Sequence, residues 1–431
     1  MKFDVIESKL IKEKILYGVH QSGLKVYIIP KTGFCKYYAI YGTEYGSIDT
    51  KLKVPGTNEV IELPDGIAHF LEHKLFEEEG GGNAFDRFAL TGANSNAFTS
   101  FDITAYLFSC TDSFYENLDI LIDFVNHPYF TDENVSKEQG IIGQEIKMYD
   151  DDPGWKLFFN MLQAMYKNNP VKTDIAGTVE SISKITPELL YKCCEAFYNP
   201  SNMFLVMVGD IDADKAMKIV DKYVTAEKDR GRIERPKVDE PETVVKREIY
   251  QKMSVSKPQF MIGFKESETD ISGKELLEKQ IQTQILLTLL FGKSSSFFIK
   301  LYEEGLIDGS FSSELELEKK YGFSSAGGES KDPKAVYERV LERIESVKKS
   351  GLDDEEISRV KKVLIGANLR GYNDVERIGN NFIRDFMSGI NPFDFEKIAQ
   401  NVTKEELMQR LVTHFKAENS VLSVIEPLEE E

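Results

Sequence analysis

Cysteine, histidine and positive charge are all scarce in this chain. Its 431 residues hold four cysteines and five histidines. Cys35, Cys110, Cys193 and Cys194 are scattered, and no spacing among them is that of a thiolate metal site. Neighbouring Cys193 and Cys194 make a poor disulfide, whose geometry suits residues further apart. Reduced thiols and a cytoplasmic location are therefore expected. Lys and Arg number 53 against 72 Asp and Glu, and the resulting net charge of −19 counts against nucleic acid or an anionic membrane as partner. No apolar run approaches the length of a membrane span, and Met1–Lys9 carries charges where a signal peptide would be apolar. A hydrophobic content of 41% is enough to build cores, and the length is too great for one, so at least two domains are expected.

Two of the five histidines stand four apart in His69-Phe70-Leu71-Glu72-His73. On a helix His69 and His73 lie one above the other, with Glu72 to the side. Neutral imidazoles at that spacing can chelate one Zn²⁺ and leave the carboxylate beside the metal's open position. The order His-x-x-Glu-His inverts the commoner His-Glu-x-x-His helix. Pro64-Asp65-Gly66 reads as the helix start, with Asp65 its cap. Ile67, Phe70, Leu71, Leu75 and Phe76 are apolar, so burying this face also buries polar groups that need partners. Two histidines on a half-buried helix without a metal are the plain alternative.

A hydrolytic zinc needs a third protein ligand. Glu145 is the best candidate, on a predicted helix that opens near Asp132 or Asn134 and closes at Asp150–Gly154. Glu138 lies seven residues earlier, two turns away on the same face. One of the two could ligate while the other orients a ligand; a solvated helix face is the plain alternative for either.

The chain also contains a diverged repeat. Ile185–Leu189 leads to Asn202 and the apolar run Met203–Val208; Val402–Leu407 leads to Asn419 and Val421–Ile425. Thr186 and Asn202, like Thr403 and Asn419, are sixteen apart, framing a helix that feeds a strand. Ile141–Tyr149 likewise echoes Leu364–Tyr372, which puts Asn368 in the place of Glu145. The counterpart of the histidine helix, Gln284–Leu290, has no histidine, so a metal site belongs to the first half alone. The expected domains are 1–226, a charged linker at 227–244, and 245–431. Strands are predicted at Leu24–Pro30, Tyr37–Gly46, Thr104–Ser109 and Phe204–Gly209. In the second half they fall at Gln259–Phe264, Gly309–Leu315 and Val421–Ile425. Strands adjacent in sequence favour α+β domains with antiparallel sheets.

Across essentially its whole length the chain resembles the insulinase-like (pitrilysin-type, M16) zinc peptidases, in particular their bacterial processing-protease branch. The resemblance implies two homologous α/β sandwich-type domains of the mitochondrial-processing-peptidase/LuxS-like metallohydrolase fold, facing each other across a peptide-binding chamber. It implies one Zn²⁺ per chain on His69, His73 and Glu145, with Glu72 as general base and Glu138 as supporting carboxylate. Gly92–Tyr106 looks like the family's edge strand, where Asn96 and the backbone of Ala97 meet a peptide substrate. Active single-chain relatives carry an arginine and a tyrosine seven apart in the second half; here Tyr302 and Gly309 stand in those places. Neither replaces a cationic donor near a developing oxyanion. The pattern is similar to bacterial members found as unequal pairs, one of them connected with elongation factor P modification. A sister subunit supplying the missing pair is therefore expected, with a homodimer as the other arrangement. The expected activity is a metalloendopeptidase's; the alternative is a non-catalytic scaffold or a protein-maturation cofactor that retains the fold.

Overall fold

The computed structural model describes residues 1–53, 60–226, 233 and 235–428. The first half opens with β1 (Asp4–Ser8), β2 (Glu13–Val19), β3 (Lys25–Pro30), β4 (Tyr37–Thr43) and a small ribbon of β5 (Lys51–Lys53) and β6 (Val60–Glu62). Helices α1 (Ile67–Leu75) and α2 (Ala84–Thr91) precede the hairpin of β7 (Asn94–Thr99) and β8 (Thr104–Cys110). Then come α3 (Phe114–Asn126), α4 (Asp132–Asp150), α5 (Pro153–Met165), α6 (Val179–Ile182), α7 (Pro187–Phe197), β9 (Met203–Gly209) and α8 (Ala213–Tyr223).

The second half repeats the plan with β10 (Glu248–Met253), β11 (Gln259–Lys265), α9 (Gly273–Phe291), α10 (Ser296–Glu303), β12 (Ser312–Leu317) and β13 (Gly322–Glu329). It closes with α11 (Pro333–Ser350), α12 (Asp354–Gly371), α13 (Val375–Met387), α14 (Phe395–Asn401), α15 (Lys404–His414) and β14 (Ser420–Pro427).

The α+β class is as expected, but the sheets are mixed. The first runs β1-β2-β3-β9-β4-β8-β7 and the second β10-β14-β11-β13-β12. Each contains one parallel pair, β3 with β9 and β10 with β14, among antiparallel ones. The parallel strand in each case arrives after a run of helices, the long crossover a parallel pair requires. The strand expected at Gly309–Leu315 starts only at Ser312, after a turn in which Asp308 holds Ser310. The framing Thr and Asn residues do what their spacing implies. Thr186 and Thr403 cap α7 and α15 through their side chains, and the buried Asn202 carboxamide donates to the Phe197 carbonyl.

Packing divides the chain into two units that do not follow the halves. Unit one is Met1–Ile146, Thr173–Lys237 and Gly371–Ile383; unit two is Lys147–Lys172, Val238–Arg370 and Arg384–Glu431. Thus α5, from the first half, lies on the second sheet, where the Leu157 carbonyl accepts from Ser423 and Asn160 donates to Gln251. Reciprocally, the Val375–Ile383 part of α13 lies on the first sheet. Phe382 packs 4.8 Å from Tyr27, and Tyr38 donates to Asn380. Gly379 permits this approach, since a Cβ there would press into the Tyr38 ring.

Of the linker expected at 227–244, residues 227–232 and 234 lie outside the described residues. The rest is anchored rather than free. Arg235 pairs with Asp49 at 2.7 Å in unit one, and Glu240 with Lys265 at 2.7 Å in unit two. The stretch Gly273–Glu303 proves long and apolar enough to cross a membrane by length and composition. Its Leu276, Ile281, Ile285, Leu286 and Leu290 are core residues of unit two, which accounts for the composition.

Candidate metal centre

Helix α1 starts at Gly66, not at an Asp65 cap. Gly66 has φ 87° and no side-chain cap is made. The left-handed start lets the backbone run hard against Ala176, whose carbonyl a Cβ would strike. Ser181 of α6 donates to the Asp65 carbonyl at 2.7 Å, so the helix origin is pinned from a distant loop. Further along, Phe76 packs 5.0 Å from Phe124 and 5.7 Å from Tyr106, fixing the far end. The cap of α4 is Thr131: it accepts from the Asn134 amide while the Asn134 side chain accepts from the Thr131 amide.

These two anchored helices bring His69, His73 and Glu145 together. One ligand atom from each lies within 4.8 Å of the other two. Both imidazole Nε2 atoms approach the same carboxylate, each 3.6 Å from an oxygen of Glu145. Glu138 sits behind, its Oε1 3.2 Å from His73 Nδ1. Glu72 is on the same helix, buried, with Oε2 accepting a 2.6 Å hydrogen bond from Thr99. All four residues singled out as metal-site or base candidates, and Glu138 with them, therefore converge.

The electrostatics suit a cation. Burial pulls the His69 imidazole down to about 3, helped by His73, so it stays neutral as a ligand must. Burial also lowers His73, but the hydrogen bond to Glu138 and the carboxylates of Glu72 and Glu145 outweigh it and raise the ring. Three carboxylates thus favour positive charge at this place. Burial raises the Glu72 carboxyl, partly offset by Thr99 and His73. His69 Nδ1 is buried without a hydrogen-bond partner, leaving Nε2 as the nitrogen aimed at the cluster. A His₂Glu donor set with outer carboxylate support is the chemistry of a zinc centre that keeps a position open.

Asn96 and Ala97 lie on β7, the rim strand of the first sheet. Asn96 is exposed, and its side-chain oxygen accepts from the Ala97 amide at 2.9 Å. Tyr302 is 55% exposed on α10, stacked with Phe298, and Gly309 lies in the turn before β12. Two residues escaped the sequence reading. Thr99 shares a strand face with Ala97, a period-two signal that was there to be read. Lys74 is fully buried, with Nζ 2.6 Å from Glu77 and 3.7 Å from Glu138. A lysine one residue beyond the histidine pair gave no hint of that.

The model for insulinase (peptidase family M16) matches residues 61–179, and that for the peptidase M16 inactive domain matches 184–364. Zinc protease YmfH of Bacillus subtilis is 42% identical over 424 residues, covering 98% of this chain and 99% of the relative. The chain belongs to the insulinase-like M16 peptidase family. A crystal structure of an M16-like peptidase from Alicyclobacillus acidocaldarius matches this M16 chain with a TM-score of 0.92 at 36% identity, over 98% of this chain and 100% of that one. The two-domain M16 fold is thereby shown. Not every relative is named as an active peptidase. YmfF, also of Bacillus subtilis, is named a probable inactive metalloprotease and is 24% identical over 314 residues, 70% of this chain and 72% of its own.

Proposed function

We propose that this chain is a zinc-dependent endopeptidase acting on peptides or small unfolded proteins, with Zn²⁺ held by His69, His73 and Glu145. The observation that carries the reading is the convergence of those ligand atoms beside a buried carboxylate already tethered by a hydroxyl. A scaffold has no need to keep a base beside a donor set.

Zinc held there supplies the Lewis acidity that amide hydrolysis requires. Glu72 takes the proton from the attacking water and returns it to the leaving amine. Glu138 fixes the His73 ring through Nδ1, which leaves Nε2 for the metal. The substrate adds as a strand along the β7 rim near Asn96 and Ala97, so main-chain hydrogen bonds give affinity with loose sequence preference.

The second half does not offer a cation at Tyr302 or a phenol at Gly309. This chain is accordingly read as the zinc-bearing member of an unequal pair whose sister supplies both. That Bacillus subtilis has relatives named as zinc proteases, YmfH and YmxG, beside YmfF, named a probable inactive metalloprotease, is in keeping with the reading. The non-catalytic scaffold remains the second reading, and that inactive relative is what favours it.

The test is Glu72→Gln, assayed for zinc content and for cleavage of a fluorogenic peptide pool, with and without a sister chain. The variant should keep about one zinc per chain and lose at least about 10²-fold in rate. Cleavage as fast as the parent's would remove Glu72 as base; a parent without zinc would leave the scaffold reading.

A further inference from the structure

The contact between Thr99 and Glu72 joins the strand assigned to substrate with the carboxylate assigned to proton transfer. Thr99 is the last residue of β7, two beyond Ala97 on the same strand face. Its hydroxyl has one proton to give. Thr104 Oγ1, which gives its own proton to the Tyr45 carbonyl at 2.8 Å, could accept it but lies 3.4 Å away and is a weaker acceptor than a carboxylate. The Thr99 proton is thus directed to Glu72 Oε2, at 2.6 Å.

Glu72 has little else to orient it. It is 8% exposed, and the one other polar side chain of its helix outside the metal cluster, Lys74, pairs with Glu77 instead. A glutamate has three side-chain torsions, and a base displaced by an ångström loses much of its effect. With Oε2 held from the strand, Oε1 is the oxygen left for the reacting water.

We propose that Thr99 is a positioning residue: its hydroxyl sets the orientation of Glu72 and ties that orientation to the β7 rim. The proposal rests on the peptidase reading for its catalytic consequence, but not for its geometry. A peptide that settles on β7 fixes the strand, and through Thr99 it fixes the base. Misplacing Glu72 then lowers kcat while leaving KM, which the rim contacts set, nearly unchanged.

The experiment compares Thr99→Val, which keeps the shape and removes the donor, with Thr99→Ser, which keeps the donor. In the zinc-loaded full chain Thr99→Val should lower kcat about 10- to 100-fold with KM within about twofold, and Thr99→Ser should recover most of it. Zinc affinity, read by chelator competition, should not move in either. A crystal structure of Thr99→Val should show the Glu72 carboxylate turned from its parental position, and one of Thr99→Ser should show it in place. A kcat within about twofold in Thr99→Val, an equal loss in Thr99→Ser, or an unmoved Glu72 would each overturn the proposal. If the parent showed no chelator-sensitive cleavage, the peptidase reading would fail. The position of Glu72 in the two crystal structures would still decide the role of Thr99.

Discussion

The two halves share one plan and bury their polar groups in opposite places. The ladders can be laid over each other with Asn202 on Asn419, which puts Thr99 on Leu315 and Thr104 on Ser324. At the rim of the first sheet, His69, Glu72, His73 and Thr99 form a polar cluster. Aligning α1 with α9 on Phe76 and Phe291 sets Gln284, Leu287 and Thr288 in the places of His69, Glu72 and His73. Leu287 is core, Leu315 packs against that core, and Thr288 turns its hydroxyl back to the Gln284 carbonyl. Deeper in, the contrast reverses. Tyr45 stacks on Phe197 at 3.8 Å in the first half. The equivalent places in the second hold Glu266 and His414, 3.2 Å apart, with Arg410 standing where Cys193 does and pairing with Glu266. His414 passes its other nitrogen to Ser324 at 2.8 Å. The same backbone therefore tolerates a buried polar network at either depth. Only the one at a sheet rim, beside a strand that can accept a partner, is placed to do chemistry.

The largest test of this contrast is to make the first half like the second at the ligand position. Glu145→Gln replaces an anionic donor by a neutral one, as Asn368 does in the repeat. Zinc affinity should fall by more than the roughly 10- to 100-fold typical of losing an outer-sphere partner, and peptide cleavage should fall with it. Chelator competition measures the first and a fluorogenic peptide the second. Retention of zinc at parental affinity would mean that the metal is held elsewhere. Among the described residues no other cluster of His, Cys, Asp and Glu meets the geometry.

A smaller effect, on stability and not on zinc, is expected from the second half's network. Arg410→Met leaves the Glu266 carboxylate and the His414 ring, 4% and 1% exposed, without their cation. Breaking one partner of a buried pair costs about 3–5 kcal/mol, which denaturant titration would read, while zinc stoichiometry stays at one. The parent's pH dependence has a fixed sign. Burial pushes the His414 ring down, so an unfolded chain takes up a proton near pH ~6.5 that the folded one refuses, and stability drops as pH falls through that range. Burial alone would raise Glu266, but the His414 hydrogen bond and the Arg410 charge outweigh it and hold the carboxyl low. Its contribution is present above the unfolded value of ~4.3 and is lost on further acidification. Stability that rose as the pH fell from 7 to about 5 would contradict the His414 assignment, and stability that rose on acidification below about 4 would contradict that of Glu266.

The histidine helix and its carboxylates were legible because helical spacing translates directly into a shared face. His69, Glu72 and His73 share one helix as the period implies, and Glu138 and Glu145 another; that the two sets meet was implied by the family resemblance. The repeat was legible for a similar reason, since a capping threonine and a buried asparagine are tied to local turns. The exchange of α5 and of the first part of α13 between packing units was not. An amphipathic helix carries a face, not an address, and each of the two would satisfy either sheet. The parallel pairs were missed because strand direction depends on crossovers that no single strand records. Thr99 was missed because its partner is 27 residues away, on a helix whose roll about its axis is set by Gly66 and the Phe76 cluster.

The smallest effect comes from the converse graft. Asn368→Glu restores to the second half the acid that Glu145 provides in the first. Asn368 donates at 2.9 Å to Glu396 Oε1, and Glu396 is 1% exposed with Oε2 buried and lacking a hydrogen-bond partner. A new carboxylate there has no imidazole to join, because Gln284 and Thr288 replace the histidines. It meets instead the charge of Glu396 and loses the amide that satisfied it. Zinc stoichiometry should therefore stay at one, and stability should fall by about 1–3 kcal/mol, the cost of leaving a buried acceptor unpaired. A second equivalent of zinc in this variant would show that one acid, without the pair of imidazoles, is enough to make a site, and the contrast between the halves would then rest on Glu145 alone.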